Sequence, residues 1–325
     1  MFICKKRYIK NHNLRKYYVF HRFYLYINEI MSCFTEPNLI IMKTLFTFLV
    51  SLFVTIATFA EVSMTEKNAL IQLNKSTHGE NWNIKWNINA PISTWQGVKL
   101  FNDRVVAIDL SDNNLSGSIP SQIADLKFLT NLNLFKNNIE GSIPNSIGDM
   151  TSLQVLNLSF NKLTGTIPSE ITKITSLKEI DLFMNKLTGE IPATIGSMTS
   201  LQVLSLYNNE LTGELPVSLY DLKLLKVLEL NSNKLTGSLT DSISNLTSLE
   251  SLSLFDNNMK GQVPMNIEKL KNLTSMNISY NNFNGFVSKK LAQKDVLSMT
   301  MINENGVAVT LNVHTDKDKA VASDE

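Results

Sequence analysis

A repeat of 24 residues runs without interruption through the middle of the chain, and it limits the possible folds more than any other feature. In every repeat asparagine stands at the ninth position and glycine at the thirteenth, and in six repeats proline stands at the sixteenth. Eight of the 13 glycines and six of the 8 prolines therefore share one register. Because one copy cannot bury its own apolar residues, we expect the copies to stack around a continuous core. The eight repeats begin at Val105, Leu129, Leu153, Leu177, Leu201, Leu225, Leu249 and Leu273.

The repeat that begins at Leu153 shows what each unit is expected to form. Its segment 156–158 alternates apolar and polar residues, which predicts a half-buried strand with the leucines facing inward. We expect Asn161 to make the turn, because its short amide tolerates unusual backbone angles and bonds to backbone groups. Gly165 supplies a conformation that a side chain would forbid, and Pro168 stiffens an extended return segment. Eight such strands, about 4.8 Å apart, form a parallel sheet roughly 34 Å long.

The ninth-position asparagines are predicted to be structural. Buried N–H and C=O groups need partners, and a column of asparagine side chains would satisfy those that the turns leave unpaired. The members of this predicted ladder are Asn113, Asn137, Asn161, Asn185, Asn209, Asn233, Asn257 and Asn281.

Residues 61–104 are predicted to cap the first repeat. Ser63 and Glu66 are spaced as in a capping box and Gly79 is a plausible stop, so we expect an amphipathic helix over 64–77. The tryptophans that follow form either a platform for stacking carbohydrate or a lid over the first repeat. We favour the lid, because aromatic residues bury the most area per residue. The three residues are Trp82, Trp86 and Trp95.

Residues 289–314 are predicted to cap the other end with a β-hairpin. The segments 296–302 and 307–313 alternate on either side of an Asn-Gly turn, and the hairpin would cover the open sheet edge. The final residues 315–325 are small and charged, so we expect disorder there. The sequence therefore predicts an α/β repeat fold, a right-handed solenoid over residues 105–288 with a concave parallel β-sheet.

The repeat motif LxxLxLxxNxLxGxIPxxIxxL resembles plant-type leucine-rich repeats, as in receptor-like kinase ectodomains and polygalacturonase-inhibiting proteins. The resemblance covers Val105 to Val287 and extends upstream, where 69–73, 81–82, Trp86 and 95–98 look like the family's N-terminal cap. Plant caps usually carry cysteine pairs, which are absent here, so the chain is more similar to the secreted plant-type repeat proteins of bacteria. The resemblance implies a receptor ectodomain or an enzyme inhibitor. Because no kinase domain follows, we do not expect a receptor that signals by itself.

Two repeats depart from the motif. The sixth repeat has Leu239-Thr240 where the others have Ile-Pro or a close variant, which predicts a looser or re-aimed convex segment. The eighth repeat has Ser288 in place of proline, as expected of a terminal repeat that differs from the rest.

Residues 42–60 have the layout of a secretory signal peptide. Lys43 precedes a 16-residue uncharged run, 45–60, that ends in small residues. The run has no polar face for a core helix to present to solvent, and it is shorter than the ~20 residues of a spanning helix. We expect residues 1–41 to lie upstream of the true start at Met42. If translation begins at Met1, the run serves as a signal anchor instead; in both cases the remainder is exported.

The formal net charge of +1 gives no electrostatic footprint for nucleic acid. Without residues 1–60, the chain has 22 basic and 27 acidic residues, a net charge of −5, and it loses both cysteines, Cys4 and Cys33. We therefore expect no disulfide, no thiol chemistry and no membrane span in the mature chain.

No catalytic motif is recognisable. Beyond residue 60 the only histidines are His78 and His314, one in each cap, so neither a catalytic triad nor a histidine-based metal site is expected, and no cofactor is implied. Glu179 and Asp181 point the same way from one predicted strand, about 7 Å apart by strand rise, a spacing that superficially suits a glycosidase. We favour a solvated acidic patch, because nothing predicts a dry pocket that would shift a pKa.

Aromatic residues recur at the seventh position of the repeats, with two more at the eighth, where they are expected on the concave face. They either pack on one another across strands or bind a ligand, and we favour binding because exposed aromatic rows are costly unless covered. With neighbouring carboxylates, they suit a peptide, a basic protein loop or a glycan. The candidate site residues are Phe135, Phe160, Glu179, Asp181, Phe183, Tyr207, Glu229, Phe255 and Tyr280.

The leading hypothesis is an exported, non-catalytic, monomeric recognition module that binds a protein, peptide or glycan on its concave face. The alternative is a structural adhesin or cell-envelope component that works through broad, weak contacts. An enzyme acting on polysaccharide is the third choice.

Overall fold

The structure, a computed structural model, describes residues 62–295, 299–303 and 307–314, and for 312–314 it describes the backbone alone. The predicted signal peptide at 42–60, the upstream segment 1–41 and the tail 315–325 lie outside the described residues. Within the described ranges, no helix is long and apolar enough to span a bilayer.

Short strands dominate the described part of the chain, and its two α-helices lie outside the repeats: α1, Met64–Ser76, and α2, Lys289–Ala292. The strands are β1 Val98–Phe101, β2 Arg104–Asp109, β3 Ser116–Gly117, β4 Asn131–Asn133, β5 Asn138–Gly141, β6 Val155–Asn157, β7 Lys162–Leu163, β8 Glu179–Asp181, β9 Thr188–Gly189, β10 Val203–Ser205, β11 Glu210–Leu211, β12 Val227–Glu229, β13 Ser251–Ser253, β14 Lys260–Gln262, β15 Ser275–Asn277, β16 Asn282–Asn284, β17 Phe286–Ser288, β18 Thr300–Ile302, β19 Ala308–Thr310 and β20 Asn312–His314.

Nine strands form one long sheet in the order β1-β2-β4-β6-β8-β10-β12-β13-β15. Strands β1 and β2 are antiparallel, and all later neighbours are parallel. The register equals the sequence period, since Leu204 pairs with Ile180 on one side and with Leu228 on the other. These three side chains are buried, so the register keeps the apolar residue of every repeat in a shared core. The predicted repeat solenoid with a parallel sheet is therefore confirmed.

The side opposite the long sheet consists of 3₁₀ turns. They contain three to five residues, too few for a stable α-helix, so the α component of the predicted α/β repeat is absent from the repeats themselves. Pro168, at φ −66° and ψ 134°, shows how the extended proline leads into the turn that follows. The turns are Ser121–Asp125, Asn145–Asp149, Ser169–Lys173, Ile195–Ser197, Val217–Asp221, Asp241–Asn245 and Met265–Lys269.

The sixth repeat forms the same 3₁₀ turn although it lacks the proline. The preceding repeat differs at the twentieth position, where neighbouring repeats approach closely. A Cβ on Gly196 would lie 2.3 Å from the carbonyl oxygen of Ser218. Tyr220 occupies the equivalent position and is buried, and its phenol oxygen makes no hydrogen bond to the described residues. Nothing in the structure explains why Thr240 replaces proline.

At the N-terminal end, Ser63 begins α1, and its Oγ accepts a hydrogen bond from the backbone N–H of Glu66 at 3.3 Å. The helix ends at Ser76, one residue earlier than predicted, and His78 after it has a left-handed backbone (φ 54°). The carboxylate of Glu66 is buried and accepts a hydrogen bond from the N–H of Val105 at 3.2 Å, which ties the helix to the first repeat.

The three tryptophans are buried beneath this end of the solenoid. Trp86 packs edge to face against Trp82 at 4.9 Å and stacks on Trp95 at 4.8 Å, measured between ring centroids. All three side chains are at most 7% exposed. They cannot present a stacking surface to a carbohydrate, so that alternative is wrong.

At the C-terminal end, β18 pairs antiparallel with β19, and β20 pairs parallel with β17. Part of the first predicted hairpin strand, 296–298, and most of the predicted turn, 304–306, lie outside the described residues. Asp295 closes the edge of β15: its carboxylate accepts hydrogen bonds from the N–H of Ile278 at 2.7 Å and from the Oγ of Ser279 at 3.0 Å. No motif in the sequence marks this residue.

Candidate functional site

The outward-facing side chains of the long sheet form the candidate site. At the third, fifth and seventh positions of each repeat they point away from the core, because side chains alternate along a strand and those at the fourth and sixth positions are buried. In β8, for example, Glu179 and Asp181 are half-buried while Ile180 is buried. We call the third, fifth and seventh positions of the eight repeats the sheet face.

The sheet face carries charges of one sign. It contains four carboxylates and neither lysine nor arginine. Basic side chains lie at its margin instead, as at the second position, where Lys226 pairs with Glu250 at 3.4 Å. The four carboxylates are Asp109, Glu179, Asp181 and Glu229.

Four aromatic side chains are in contact on and beside the sheet face. The ring of Phe183 stacks on that of Tyr207, with centroids 4.4 Å apart and planes 8° from parallel. Phe135 lies 6.5 Å from Phe183 and 6.1 Å from Phe160, again between centroids. We call Phe135, Phe160, Phe183 and Tyr207 the four-ring group.

The remaining aromatic candidates form a separate pair. Phe255 and Tyr280 pack edge to face at 5.2 Å. This two-ring group lies beyond Asn231, which takes the seventh position in the repeat that separates it from the four-ring group. The structure therefore divides the predicted aromatic row into two parts.

The turn after each strand brings Phe160 and Tyr280 to the margin of the sheet face. Both have a left-handed backbone, with φ of 58° and 57°, and each side chain is 42% exposed. The eighth-position residue adopts this conformation in every repeat, with φ from 51° to 58°. This corrects the expectation for Asn161, because the unusual backbone belongs to the residue before the asparagine. Bulky residues rarely adopt it, so these rings are held by their surroundings.

The ninth-position asparagines hold the turn backbone in place through hydrogen bonds. The Nδ2 of Asn185 donates to the carbonyl oxygens of Leu182 in its own repeat, at 3.0 Å, and of Leu158 in the repeat before, at 3.1 Å. Its Oδ1 accepts from the backbone N–H of Leu163 at 3.0 Å. The same three bonds recur in every repeat from the second to the eighth. Asn113 bonds instead to the backbone of Ile84 in the N-terminal cap.

The carboxylates near Tyr207 influence one another. Burial raises the pKa of Asp181 to about 7, with further contributions from a hydrogen bond and charge repulsion by Glu179 and from charge repulsion by Glu229. Burial also raises the pKa of Tyr207, assisted by the charges of Glu229 and Asp181. The expectation that no pKa would shift in this patch is therefore wrong, because side chains on adjacent strands exclude water from Asp181.

Ser205 lies between the carboxylates on β10 and is almost completely buried. Its Oγ donates to Oε2 of Glu229 at 2.7 Å, which fixes the position of that carboxylate. Ser205 is not among the site residues predicted from the sequence. Comparing the fifth positions of neighbouring repeats would have identified it, because it stands directly between Asp181 and Glu229 in that row.

The site is a surface of rings and carboxylates on a rigid sheet. In the described part of the chain, no group of three or more histidine, cysteine, aspartate or glutamate side chains is placed to hold a metal ion. What the arrangement offers chemically is apolar contact, hydrogen-bond acceptors and negative charge.

Three family models match the repeats. The model described as a leucine-rich repeat region matches residues 182–304, a two-copy leucine-rich repeat model matches 151–193, and a single-repeat model matches 104–126 and 128–150. Together they cover more than half of the chain and nearly all of the solenoid.

Solved structures of plant proteins resemble the chain. The plant peptide hormone receptor RGFR1, in complex with RGF2, is 33% identical with a TM-score of 0.56, over 63% of this chain and 32% of the receptor. The Arabidopsis receptor kinase HAESA, in complex with the peptide hormone IDA and the co-receptor SERK1, is 29% identical with a TM-score of 0.52, over 64% and 38%. The chain therefore spans about a third of the length of these receptors.

A plant ice-binding protein is similar along almost its whole length. It is 23% identical with a TM-score of 0.55, over 79% of this chain and 99% of that protein. At that identity the likeness shows the fold alone.

Proposed function

Because the chain belongs to the leucine-rich repeat proteins, we propose that it is an exported, non-catalytic recognition module that binds a protein or peptide partner on the sheet face. The observation that carries this proposal is the four-ring group. Its rings are in mutual contact yet remain partly exposed, on a sheet whose backbone is fixed on both sides by neighbouring strands.

Rings in such a setting are suited to bind. Aromatic side chains with few rotatable bonds lose little entropy when covered, and they dominate the energy of protein interfaces. The side chains of Phe135, Phe183 and Tyr207 are already ordered by their contacts, so a partner need not order them. The receptors with peptide hormones bound have the same fold, which supports a peptide or protein as the partner.

Export and location at the cell surface or in the medium are part of the proposal. They are supported by the layout of residues 42–60.

A catalytic role is less well supported by the geometry. The carboxyl groups of glycosidases stand about 5 to 9.5 Å apart, to accommodate a sugar or a water between them. Glu179 instead hydrogen-bonds to Asp181, so their carboxyls are in direct contact. The strand-rise spacing of about 7 Å separates their Cα atoms, and the side chains lean together.

The experiment that tests the proposal compares three versions of the full chain as bait for secreted and cell-surface proteins. They are the native chain, a Phe183→Ala/Tyr207→Ala variant and a Phe128→Ala control; Phe128 is exposed and contacts Arg104 away from the sheet face. We expect a partner that the native chain and the control retain and the double variant loses. Retention by all three would refute the site.

The structural adhesin or envelope component remains the second candidate. Broad, weak contacts would not saturate, whereas recognition on the sheet face should reach a defined stoichiometry with one purified partner. Titration calorimetry with the captured protein separates the two.

A further inference from the structure

The aromatic row on the sheet face has two gaps, and they differ in a way that indicates what the surface binds. The seventh-position rings, two residues after strands β4, β8, β10 and β13, form a row that is interrupted by Ser159 and by Asn231. The inference drawn from this difference rests on the proposed function and refines it.

The gap at Ser159 is closed. Phe135 and Phe183 belong to repeats on either side of it, and their ring centroids are 6.5 Å apart, less than the roughly 9.6 Å of two strand spacings. The rings therefore lean together over Ser159, which has no exposed surface.

The gap at Asn231 is not closed by rings in this way. The flanking rings pack away from it, Tyr207 on Phe183 and Phe255 on Tyr280, and no ring contact joins Tyr207 to Phe255 in the part of the chain that the structure describes. Asn231 itself is only half-buried. We call the space over Asn231, between the rings of Tyr207 and Phe255, the Asn231 slot.

Two strand spacings leave room for one flat group. Two strand spacings amount to about 9.6 Å, and a planar group in contact on both sides takes up about 7 to 8 Å. The rings of Tyr207 and Phe183 stack nearly parallel at a strand spacing, so both stand upright on the sheet. The other face of Tyr207 therefore looks towards the slot.

The charge around the slot is negative. Glu229 stands two residues before Asn231 on the same side of the chain, and Ser205 holds its carboxylate at 2.7 Å. Burial raises the pKa of Tyr207, and the charges of Glu229 and Asp181 raise it further. The sheet face has no basic residue that could neutralise them.

We propose that the Asn231 slot binds the guanidinium group of an arginine in an extended segment of the partner, stacked on Tyr207 and paired with Glu229. A guanidinium is planar, positively charged and able to stack on a ring while it donates hydrogen bonds to a carboxylate. Lysine matches the charge but not the flat shape. An uncharged glycan would leave the carboxylates without a counter-charge. Apolar residues beside the arginine would contact the four-ring group.

The test uses the full chain and three capped octapeptides that differ at one central position, which is arginine, lysine or citrulline, with leucine and tyrosine beside it. Citrulline keeps the flat shape and loses the charge. Fluorescence polarisation should show the arginine peptide binding on the order of tenfold more tightly than the citrulline peptide, and more tightly than the lysine peptide.

Two variants probe the slot and one serves as control. Asn231→Phe fills the slot with a side chain that other repeats carry at the same position, so the fold should tolerate it. Glu229→Gln removes the charge and keeps an oxygen that Ser205 can bond to. Both should abolish the preference for arginine, and Glu250→Gln, which alters an exposed carboxylate at the margin, should leave it unchanged.

The inference is overturned if the arginine peptide does not bind, if citrulline binds equally well, or if Asn231→Phe keeps the preference. Binding of a neutral glucan oligosaccharide that Asn231→Phe abolishes would also overturn it, in favour of a glycan. In each case, loss of the natural partner on Phe183→Ala/Tyr207→Ala would still uphold the proposed function, so the two claims fail separately.

Discussion

The ring of Tyr207 lies parallel to that of Phe183 at one strand spacing, 4.4 Å between centroids, although the two residues are 24 positions apart in sequence. Replacing both with alanine should weaken partner binding by at least tenfold, because stacked aromatic anchors contribute more than most interface residues. The fold should survive with a loss of about 2 kcal/mol or less per ring, below the 3–5 kcal/mol of a fully buried phenylalanine, since each ring is only half-buried. Circular dichroism and calorimetric titration measure the two effects.

Asp181 should make the protein less stable as the pH rises. Its pKa is about 7 in the folded state against 3.8 ordinarily, so between those values the folded chain keeps a proton that the unfolded chain has lost. The stabilisation is complete below about pH 4 and disappears as the pH passes 7. We expect an effect on the order of 1 kcal/mol, because water partly screens a half-buried carboxyl.

The variant Asp181→Asn isolates this contribution. It should raise the melting temperature at pH 8 and leave it nearly unchanged at pH 4. The polar and charged side chains that face Asp181 from its own and neighbouring repeats stay the same in this variant: Asn157, Glu179, Ser205, Tyr207 and Glu229. Thermal scans of both proteins across this range give the comparison. Equal differences in melting temperature at both pH values would show that Asp181 does not cause the loss of stability at high pH.

Adjacent asparagines offer a matched test of the ladder. Asn257 donates to the carbonyl oxygens of Leu230 and Leu254 and accepts from the N–H of Leu235, each at 3.0 Å, whereas the next residue, Asn258, has an exposed side chain. Asn257→Ala leaves buried backbone groups without partners and should cost about 2–4 kcal/mol in urea unfolding. Asn258→Ala should cost less than about 0.5 kcal/mol. Similar losses for both would argue against the ladder.

Tyr220 buries a phenol oxygen that makes no hydrogen bond to the described residues. Tyr220→Phe removes this oxygen and should raise the free energy of unfolding by about 1 kcal/mol, because a buried polar group without a partner is costly. Urea unfolding of the two proteins measures the difference. A loss of stability of similar size would show that the hydroxyl is satisfied in the folded protein.

Much of the fold follows from the spacing of a few residue types. The 24-residue period predicts which residues of neighbouring repeats pair in the sheet. The thirteenth-position glycines all have φ between 76° and 87°, as predicted for a backbone conformation that excludes side chains. The residue type does not predict which turn residue has the left-handed backbone. Its position holds residues as different as Asp112, Phe160 and Met184, so no residue preference marks it.

The candidate site was predicted as a row, but its division was not. The sequence gives the order of rings and gaps along the row. Packing between repeats decides that Phe135 leans towards Phe183 and that no ring covers Asn231. The raised pKa of Asp181 likewise comes from water excluded by neighbouring strands. Such effects are properties of the stacked array and have no counterpart in a single repeat.

Asp295 lies at the last edge of the long sheet, next to Lys294, whose carbonyl oxygen accepts from the N–H of Met276. Its carboxylate accepts from the N–H of Ile278, which a ninth repeat would pair with a backbone carbonyl, as Asn277 does for Leu254. This ending does not depend on the number of repeats before it. Duplication of a 24-residue segment inside the array would therefore lengthen the recognition surface by about 4.8 Å and leave both caps unchanged.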